Sequence, residues 1–261
     1  MSAAPTAVDA AHPVLAVRAA LDAASRAAGR EPAEVTLVAV SKTFPAAAVQ
    51  AAYAAGQRHF GENYVQEGCA KIDLLRGVVP PVEPPASGAS PSLADAVWHF
   101  IGPLQSNKSR MVAERFDWVH SIDRESIARR LSEQRPADLP PLRVCIQVNV
   151  SGEASKSGVA PDAVLPLARA LAAMPGLELR GLMAIPAPSE DPLAQRAPFA
   201  ALARLRDALA ADGIALPDLS MGMSADYVAA VQEGATLVRI GSAIFGARPA
   251  RASADPGGVP A

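Results

Sequence analysis

The chain predicts an α/β fold: a single (β/α)8, or TIM, barrel with an extra helix at its N-terminus. Three observations carry this. Apolar, strand-like runs recur eight times along the 261 residues. Helix-like segments lie between them. The connections are short enough to require parallel strands and right-handed crossovers. Eight units in roughly 215 residues suit a closed barrel better than an open doubly wound sheet.

The elements follow in order. An alanine-rich helix over 14–28 comes first and is closed by Gly29. Strands are expected over 35–40, 58–61, 97–101, 118–121, 143–150, 179–185, 217–221 and 237–240. They are short apolar runs, most of them rich in β-branched or aromatic residues. Helices are expected between them over 46–55, 64–75, 106–114, 124–134, 162–173, 193–211 and 225–233. The stretch 77–91, GVVPPVEPPASGASP, breaks the rhythm. It is too rich in Pro, Gly and Ser to pack, and falls on the face opposite the strand C-termini, so it reads as a solvent loop insert. Residues 1–12 read as a flexible leader and 249–261 as a disordered tail, which leaves the barrel as 13–248. No second domain is expected after strand eight.

Composition narrows the function. Half of the residues are hydrophobic, as in a globular domain. A net charge of −2 and a pI near 6.1 give no electrostatic reason to expect nucleic acid. Cys69 and Cys145 make no metal or redox spacing, which suits a reducing compartment. The leader lacks the basic start and apolar core of a signal peptide, and no run approaches the roughly 18 apolar residues of a membrane span. A cytoplasmic protein is expected.

Candidate chemistry gathers at the strand C-termini, where barrels place their sites. Of 24 basic residues only four are lysines. Lys42 stands just past strand one, on the parity of Val38 and Val40. Two readings stand: a strand-end lysine reaching for water, or a desolvated amine able to attack a carbonyl, which arginine cannot do. Strand two runs into Asn63, and strand three into a loop ending at Lys108. The loop after strand five holds Lys156. His99 and His120, in or at strands three and four, are expected to hydrogen-bond in the core or at the rim. Strand seven leads to Ser224, placed as a helix N-cap, and strand eight to Gly241 and Ser242. Loops after strands seven and eight form the phosphate site in many barrels; the competing reading is an ordinary cap and an ordinary turn. Arg239 favours the first reading. It lies in a run that should be buried, where a guanidinium is costly without a partner; a surface pairing with a helix carboxylate is the rival. An amine, a phosphate cradle and an arginine between them describe a pocket for pyridoxal 5'-phosphate.

Eight segments carry a resemblance across nearly the whole chain: AVSKTFP around Lys42, HFGENYVQE (59–67), WHFIGPLQSNK (98–108), VHSIDR ending at Arg124, QVNVSGEASKSG (147–158), LRGLMAI (179–185), LSMGMSADY (219–227) and VRIGSAIFGAR (238–248). The chain resembles the pyridoxal phosphate homeostasis protein family, relatives of the barrel domain of alanine racemase. The insert at 77–91 is peculiar to this chain. The resemblance implies a cofactor, pyridoxal 5'-phosphate, held as a Schiff base on Lys42. It implies a ring-nitrogen contact from Arg239, phosphate contacts from Ser224, Gly241 and Ser242, and Asn63 beside the cofactor. It implies a role in cofactor homeostasis, limiting free pyridoxal phosphate or delivering it to apo-enzymes, with no catalytic residue and no metal. Racemases of the related fold need a second base, and neither a further domain nor Tyr53, Tyr64 or Tyr227 is expected to supply one. The alternatives are an amino-acid racemase and a phosphosugar enzyme that forms its Schiff base with substrate. A monomer without nucleic-acid or membrane partners is expected.

Overall fold

The computed structural model describes residues 12–78, 93–151 and 157–247. Eight parallel strands pair in sequence order and close into a barrel: β1 (Thr36–Val40), β2 (His59–Glu62), β3 (Val97–Phe100), β4 (Trp118–Ile122), β5 (Leu142–Gln147), β6 (Leu177–Met183), β7 (Asp218–Ser220) and β8 (Leu237–Ile240). Closure comes from β8 pairing back on β1, with Arg239 beside Val38. The helices among the described residues are α1 (Pro13–Ala27), α2 (Ala46–Ala54), α3 (Val65–Leu75), α4 (Ser109–Arg115), α5 (Glu125–Gln134), α6 (Val164–Ala172), α7 (Pro192–Ala211), α8 (Tyr227–Gln232) and α9 (Ser242–Phe245). No helix among them is long and apolar enough to cross a membrane.

The fold is the expected barrel with its extra helix α1. His12, assigned to the leader, caps α1: its ring accepts the Val14 N–H at 3.2 Å. The expected helices at 106 and 162 each open as a 3-10 turn, Ser106–Lys108 and Pro161–Ala163. Strand β5 stops at Gln147 rather than 150, and Val148 keeps only an isolated bridge to Val159. Helix α8 starts two residues late because Asp226 turns its carboxylate onto the Met223 N–H at 2.6 Å. The insert is described only at Gly77 and Val78, which close α3; the rest of it, Lys156 and the tail lie outside the described residues.

Alternation along the strands sorts the side chains into two cores. Outward residues such as Phe60, Trp98, Phe100, Val119 and Ile146 are buried against the helices. Each such side chain contributes about 1.5–3 kcal/mol. Inward, Val38, Trp118, Cys145, Met183 and Leu237 fill the barrel. Gly181 is required there, since a Cβ would lie 1.9 Å from the Asp218 carbonyl oxygen. Toward the strands' N-terminal ends, Arg180 bonds Glu178 at 3.1 Å and Asp218 at 2.8 Å, and Arg143 meets Glu178 at 3.3 Å. These pairs are partly exposed, worth at most about 1 kcal/mol each.

The interior also holds polar groups. His59 Nδ1 lies 2.9 Å from His99 Nε2, and His99 Nδ1 lies 2.8 Å from His120 Nε2. His120 Nδ1 in turn meets Ser220 Oγ at 2.6 Å. His99 and His120 are wholly buried and hydrogen-bonded, as expected for core histidines. Outside the sheet, Lys71 of α3 donates to Ser41 O at 2.7 Å, Glu62 Oε1 at 2.7 Å and Glu67 Oε1 at 2.8 Å. Ser41 Oγ adds a bond to Glu62 at 2.6 Å. Burial raises the Glu62 carboxyl above its usual range against the pull of Lys71. Glu67 also accepts the Thr43 N–H at 2.5 Å. Thr43 is the one described non-glycine residue with positive φ, 69°, an unfavourable conformation for a β-branched side chain. The lysine clamp thus pins the turn that carries Lys42.

Two outcomes follow. Burial lowers the pKa of all three histidines below 6.5, with His59, Arg143 and Arg239 adding like-charge repulsion along the chain. The unfolded chain therefore takes up protons that the folded barrel refuses. Stability contributed by these groups is full above pH 6.5 and declines as the pH falls below it. Urea unfolding at about pH 7 and about pH 5 reads this loss; a flat profile, or one rising toward acid, contradicts neutral buried histidines. The second concerns the clamp. Lys71→Met strands the buried Glu62 carboxylate and costs about 3–5 kcal/mol, with partial recovery on adding Glu62→Gln. Thermal melting checks it, and a melting temperature equal to wild type denies the clamp its role.

Candidate functional site

The barrel's C-terminal mouth holds a cavity of about 170 Å³. Its lining contains the six residues that the resemblance assigned to the cofactor: Lys42, Asn63, Ser224, Arg239, Gly241 and Ser242. Six different strand ends contribute, which explains why residues so distant in sequence meet.

Lys42 follows β1 in a tight turn in which Phe44 N–H returns to Ser41 O at 3.1 Å. Val40 and Lys42 share the cavity wall, and Val38 points the same way into the inner core. The parity argument therefore describes the strand as it stands. Phe44 forms an adjacent wall, its ring 5.3 Å from that of Phe245. Asn63 leaves β2 beside the β3 loop. Gly102 is obligatory at that contact, because a Cβ would sit 2.2 Å from the Asn63 carbonyl oxygen. The Asn63 side-chain oxygen is buried and has no hydrogen-bond partner among the described residues. Such an acceptor is costly unless a ligand donor reaches it.

Arg239 is 4 % exposed and reaches across the top of the inner core. One guanidinium nitrogen donates to Ser220 Oγ at 2.6 Å and another to Ala184 O at 3.0 Å. Both acceptors are neutral. Desolvation pushes its pKa down to about 10, partly offset by the Asp226 carboxylate. The surface pairing with a helix carboxylate is thus excluded: the side chain lies in the barrel, on the cavity wall. A buried cation with neutral partners makes the cavity a favourable place for an acceptor or an anion.

Ser224 and Ser242 bring their hydroxyls within 3.4 Å of each other. Ser224 does not cap α8, as the sequence suggested it might do in its plainer reading; Asp226 occupies that N-cap position. The hydroxyl is left facing its counterpart from α9. Gly241 runs close under β1, where a Cβ would lie 3.1 Å from Val40 O. It opens α9, whose first amides have no acceptor within the helix. Gly222, at φ 91°, keeps the β7 turn tight, since a Cβ there would meet that of Ala230 at 2.6 Å.

Some site residues escaped the sequence reading. Ile101, Ile185 and Met223 join Phe44 as apolar walls, and nothing distinguishes them in sequence from ordinary core residues. Ser220 and Lys71 are different: a serine inside an apolar strand and a lysine inside an apolar helix face are both signals. Lys108 lies in the 3-10 turn after β3 and does not line the cavity. Neither do Tyr53, Tyr64 or Tyr227. Among the described residues, Lys42 and Arg239 are the ionisable groups of the lining, so it can present an amine, a guanidinium, two hydroxyls and backbone amides, with no carboxylate or imidazole.

The chain is similar to known proteins over most of its length. The family model for the alanine racemase N-terminal domain matches residues 15–249. The pyridoxal phosphate homeostasis protein of Pseudomonas aeruginosa is 57% identical over 234 residues, covering 89% of this chain and 93% of that protein. Its namesake from Escherichia coli K12 is 51% identical over 243 residues, covering 92% and 97%. Among solved structures, PipY of Synechococcus elongatus with pyridoxal phosphate bound has a TM-score of 0.71 at 36% identity, covering 89% of this chain and all of that one. A protein of unknown function from Bifidobacterium adolescentis has a TM-score of 0.78 at 36% identity, covering 89% and 93%. A barrel of this closure, with its lysine on β1 and its hydroxyls after β7 and β8, therefore belongs to the alanine racemase N-terminal domain family, among the pyridoxal phosphate homeostasis proteins.

Proposed function

We propose that this protein binds pyridoxal 5'-phosphate at the barrel mouth and acts in cofactor homeostasis, holding the aldehyde reversibly on Lys42. The observation that carries this is the joint lining of one cavity by a lysine amine, a buried guanidinium and a pair of hydroxyls. The fit extends to the Asn63 oxygen, which has no partner among the described residues, and to Gly241, which lines the cavity and lets the chain pass close under β1. When bound, the cofactor supplies an aldehyde that condenses reversibly with an amine. Lys42 supplies that amine. Ser224, Ser242 and the amides opened by Gly241 hold the phosphate, as neutral donors that leave its charge in place. Arg239 donates to the ring nitrogen and, being always a donor, keeps it from carrying a proton of its own. Phe44, Ile101, Ile185 and Met223 exclude water from the ring.

Holding rather than converting is supported by the same lining. Proton transfer at a substrate carbon on both faces needs two acid–base groups, and Lys42 accounts for one. Tyr53 is hydrogen-bonded to Asp95 at the barrel's outside, and Tyr64 is 43% exposed. Reversible exchange suits a protein that limits free cofactor and passes it to apo-enzymes. The buried free thiols of Cys69 and Cys145 favour the cytoplasm; burial raises Cys69 to about 11, which keeps it inert.

Reconstitution with pyridoxal phosphate is expected to give a visible absorbance band that Lys42→Ala abolishes. Borohydride reduction followed by peptide mass analysis should place the added mass on Lys42. A colourless protein, or a label on Lys108 or Lys156, overturns the assignment, and rapid turnover of D- or L-alanine favours a racemase instead. Ser224→Ala combined with Ser242→Ala should weaken retention roughly tenfold or more, two lost hydrogen bonds of about 1 kcal/mol each. Dialysis reads it, and equal retention removes the hydroxyls from the cradle.

A further inference from the structure

The three interior histidines connect the cavity to the opposite end of the barrel. His59 borders a groove at the strands' N-terminal ends, alongside Arg18, Gln57 and Arg58. From there the contacts run His59, His99, His120, Ser220 and Arg239, each step between 2.6 and 2.9 Å. Four strands other than β8 could have filled this space with apolar side chains, as Val38, Cys145 and Met183 do nearby.

The chain has a direction. A guanidinium can only donate, so Ser220 Oγ accepts from Arg239. The Ser220 hydroxyl proton then goes to His120 Nδ1. Neutral His120 must carry its proton on Nε2 and give it to His99 Nδ1. His99 likewise donates from Nε2 to His59 Nδ1. Arg239 thereby sets the tautomer of three imidazoles. We propose that His120, backed by His99 and His59, is a positioning relay for Arg239, and that it couples the cofactor cavity to protonation of His59 at the barrel's far end.

The coupling balances to one proton. One added proton leaves its charge on His59, which then carries N–H on both nitrogens. Its Nδ1 then donates to His99 Nε2. His99 and His120 each exchange Nε2–H for Nδ1–H, so neither gains charge. His120 Nδ1–H now donates to Ser220 Oγ beside Arg239. Each shared proton has moved one place toward His59, Ser220 having passed its hydroxyl proton to His120, and the added proton, entering from the cavity end, replaces it on Ser220. Arg239 then shares its acceptor with a second donor, and its hold on the cavity ligand changes. Facing His59 are His99 from β3 and Arg143 from β5, the latter paired with Glu178; Arg58 beside it engages Asp95, and Arg18 of α1 bonds Gln57. His99 meets both other histidines and Arg143, and His120 meets Arg239 and His59. The arginines and the other histidines oppose a buried cation, whereas Glu178, Asp95 and the groove's Asp22 do not, so the added charge stays on His59, the most accessible member.

The test uses the full chain labelled with nitrogen-15 in its histidines. Without cofactor at neutral pH, all three imidazoles should show the Nε2–H tautomer. On acidification His59 should titrate first, and His99 and His120 should switch to Nδ1–H along the same curve. Finding His120 as Nδ1–H at neutral pH, or unmoved while His59 titrates, overturns the relay. This readout does not depend on pyridoxal phosphate. The second readout rests on the proposed cofactor: its bound absorbance should shift with the His59 curve. His99→Gln, which can donate and accept but cannot exchange tautomers, should keep the neutral-pH spectrum and lose that acid step. A step that persists in His99→Gln sinks the coupling. Failure to bind the cofactor at all counts against the cofactor reading, while the tautomers still decide the relay.

Discussion

Arg239 lies where the dry barrel interior meets its open mouth, and keeping a guanidinium there constrains much of what surrounds it. Desolvation alone would disfavour it by several kcal/mol. Its neighbours answer with neutral acceptors rather than a carboxylate: the Ser220 hydroxyl and the Ala184 carbonyl. A carboxylate would have satisfied the charge locally. Neutral acceptors leave the positive potential to act on whatever enters the cavity. The polar interior, the acid-free lining and the hydroxyl pair after β7 and β8 are consistent with that single choice.

Lys42 depends on a different kind of support. Its turn includes a β-branched residue in the left-handed region, a conformation that costs on the order of 1–3 kcal/mol unless something holds it. Glu67 does so by taking the Thr43 N–H, and Lys71 fixes Glu67 in place together with Glu62. The strain at the site is thus offset by a buried ion cluster between β2 and α3. Site and scaffold are here one structure, as preorganised sites require.

Much of this was legible in the sequence. Strand order, closure and the extra helix followed from alternation and connection length, both local properties. The six marked residues fell on one cavity because barrel topology sends strand ends to one rim, so parity and position sufficed for Lys42 and Arg239. What was not legible depends on non-local packing. Phe44, Ile101, Ile185 and Met223 became walls only through the barrel's curvature. The reach of Asp226 back to Met223 moved the α8 cap and released Ser224 from a role its sequence position suggested. The contacts among His59, His99, His120 and Ser220 come from four strands up to 161 positions apart, a meeting that no pattern within one strand reveals.

The buried Lys71 shows how hydrogen bonding withholds an amine from chemistry. All three hydrogens of the Lys71 ammonium are engaged, by one carbonyl and two carboxylates. An amine must lose a hydrogen and bare its lone pair before it can add to a carbonyl, and Lys71 has no direction left in which to do so. The clamp that shapes the turn therefore also keeps the Lys71 amine from acting as a nucleophile.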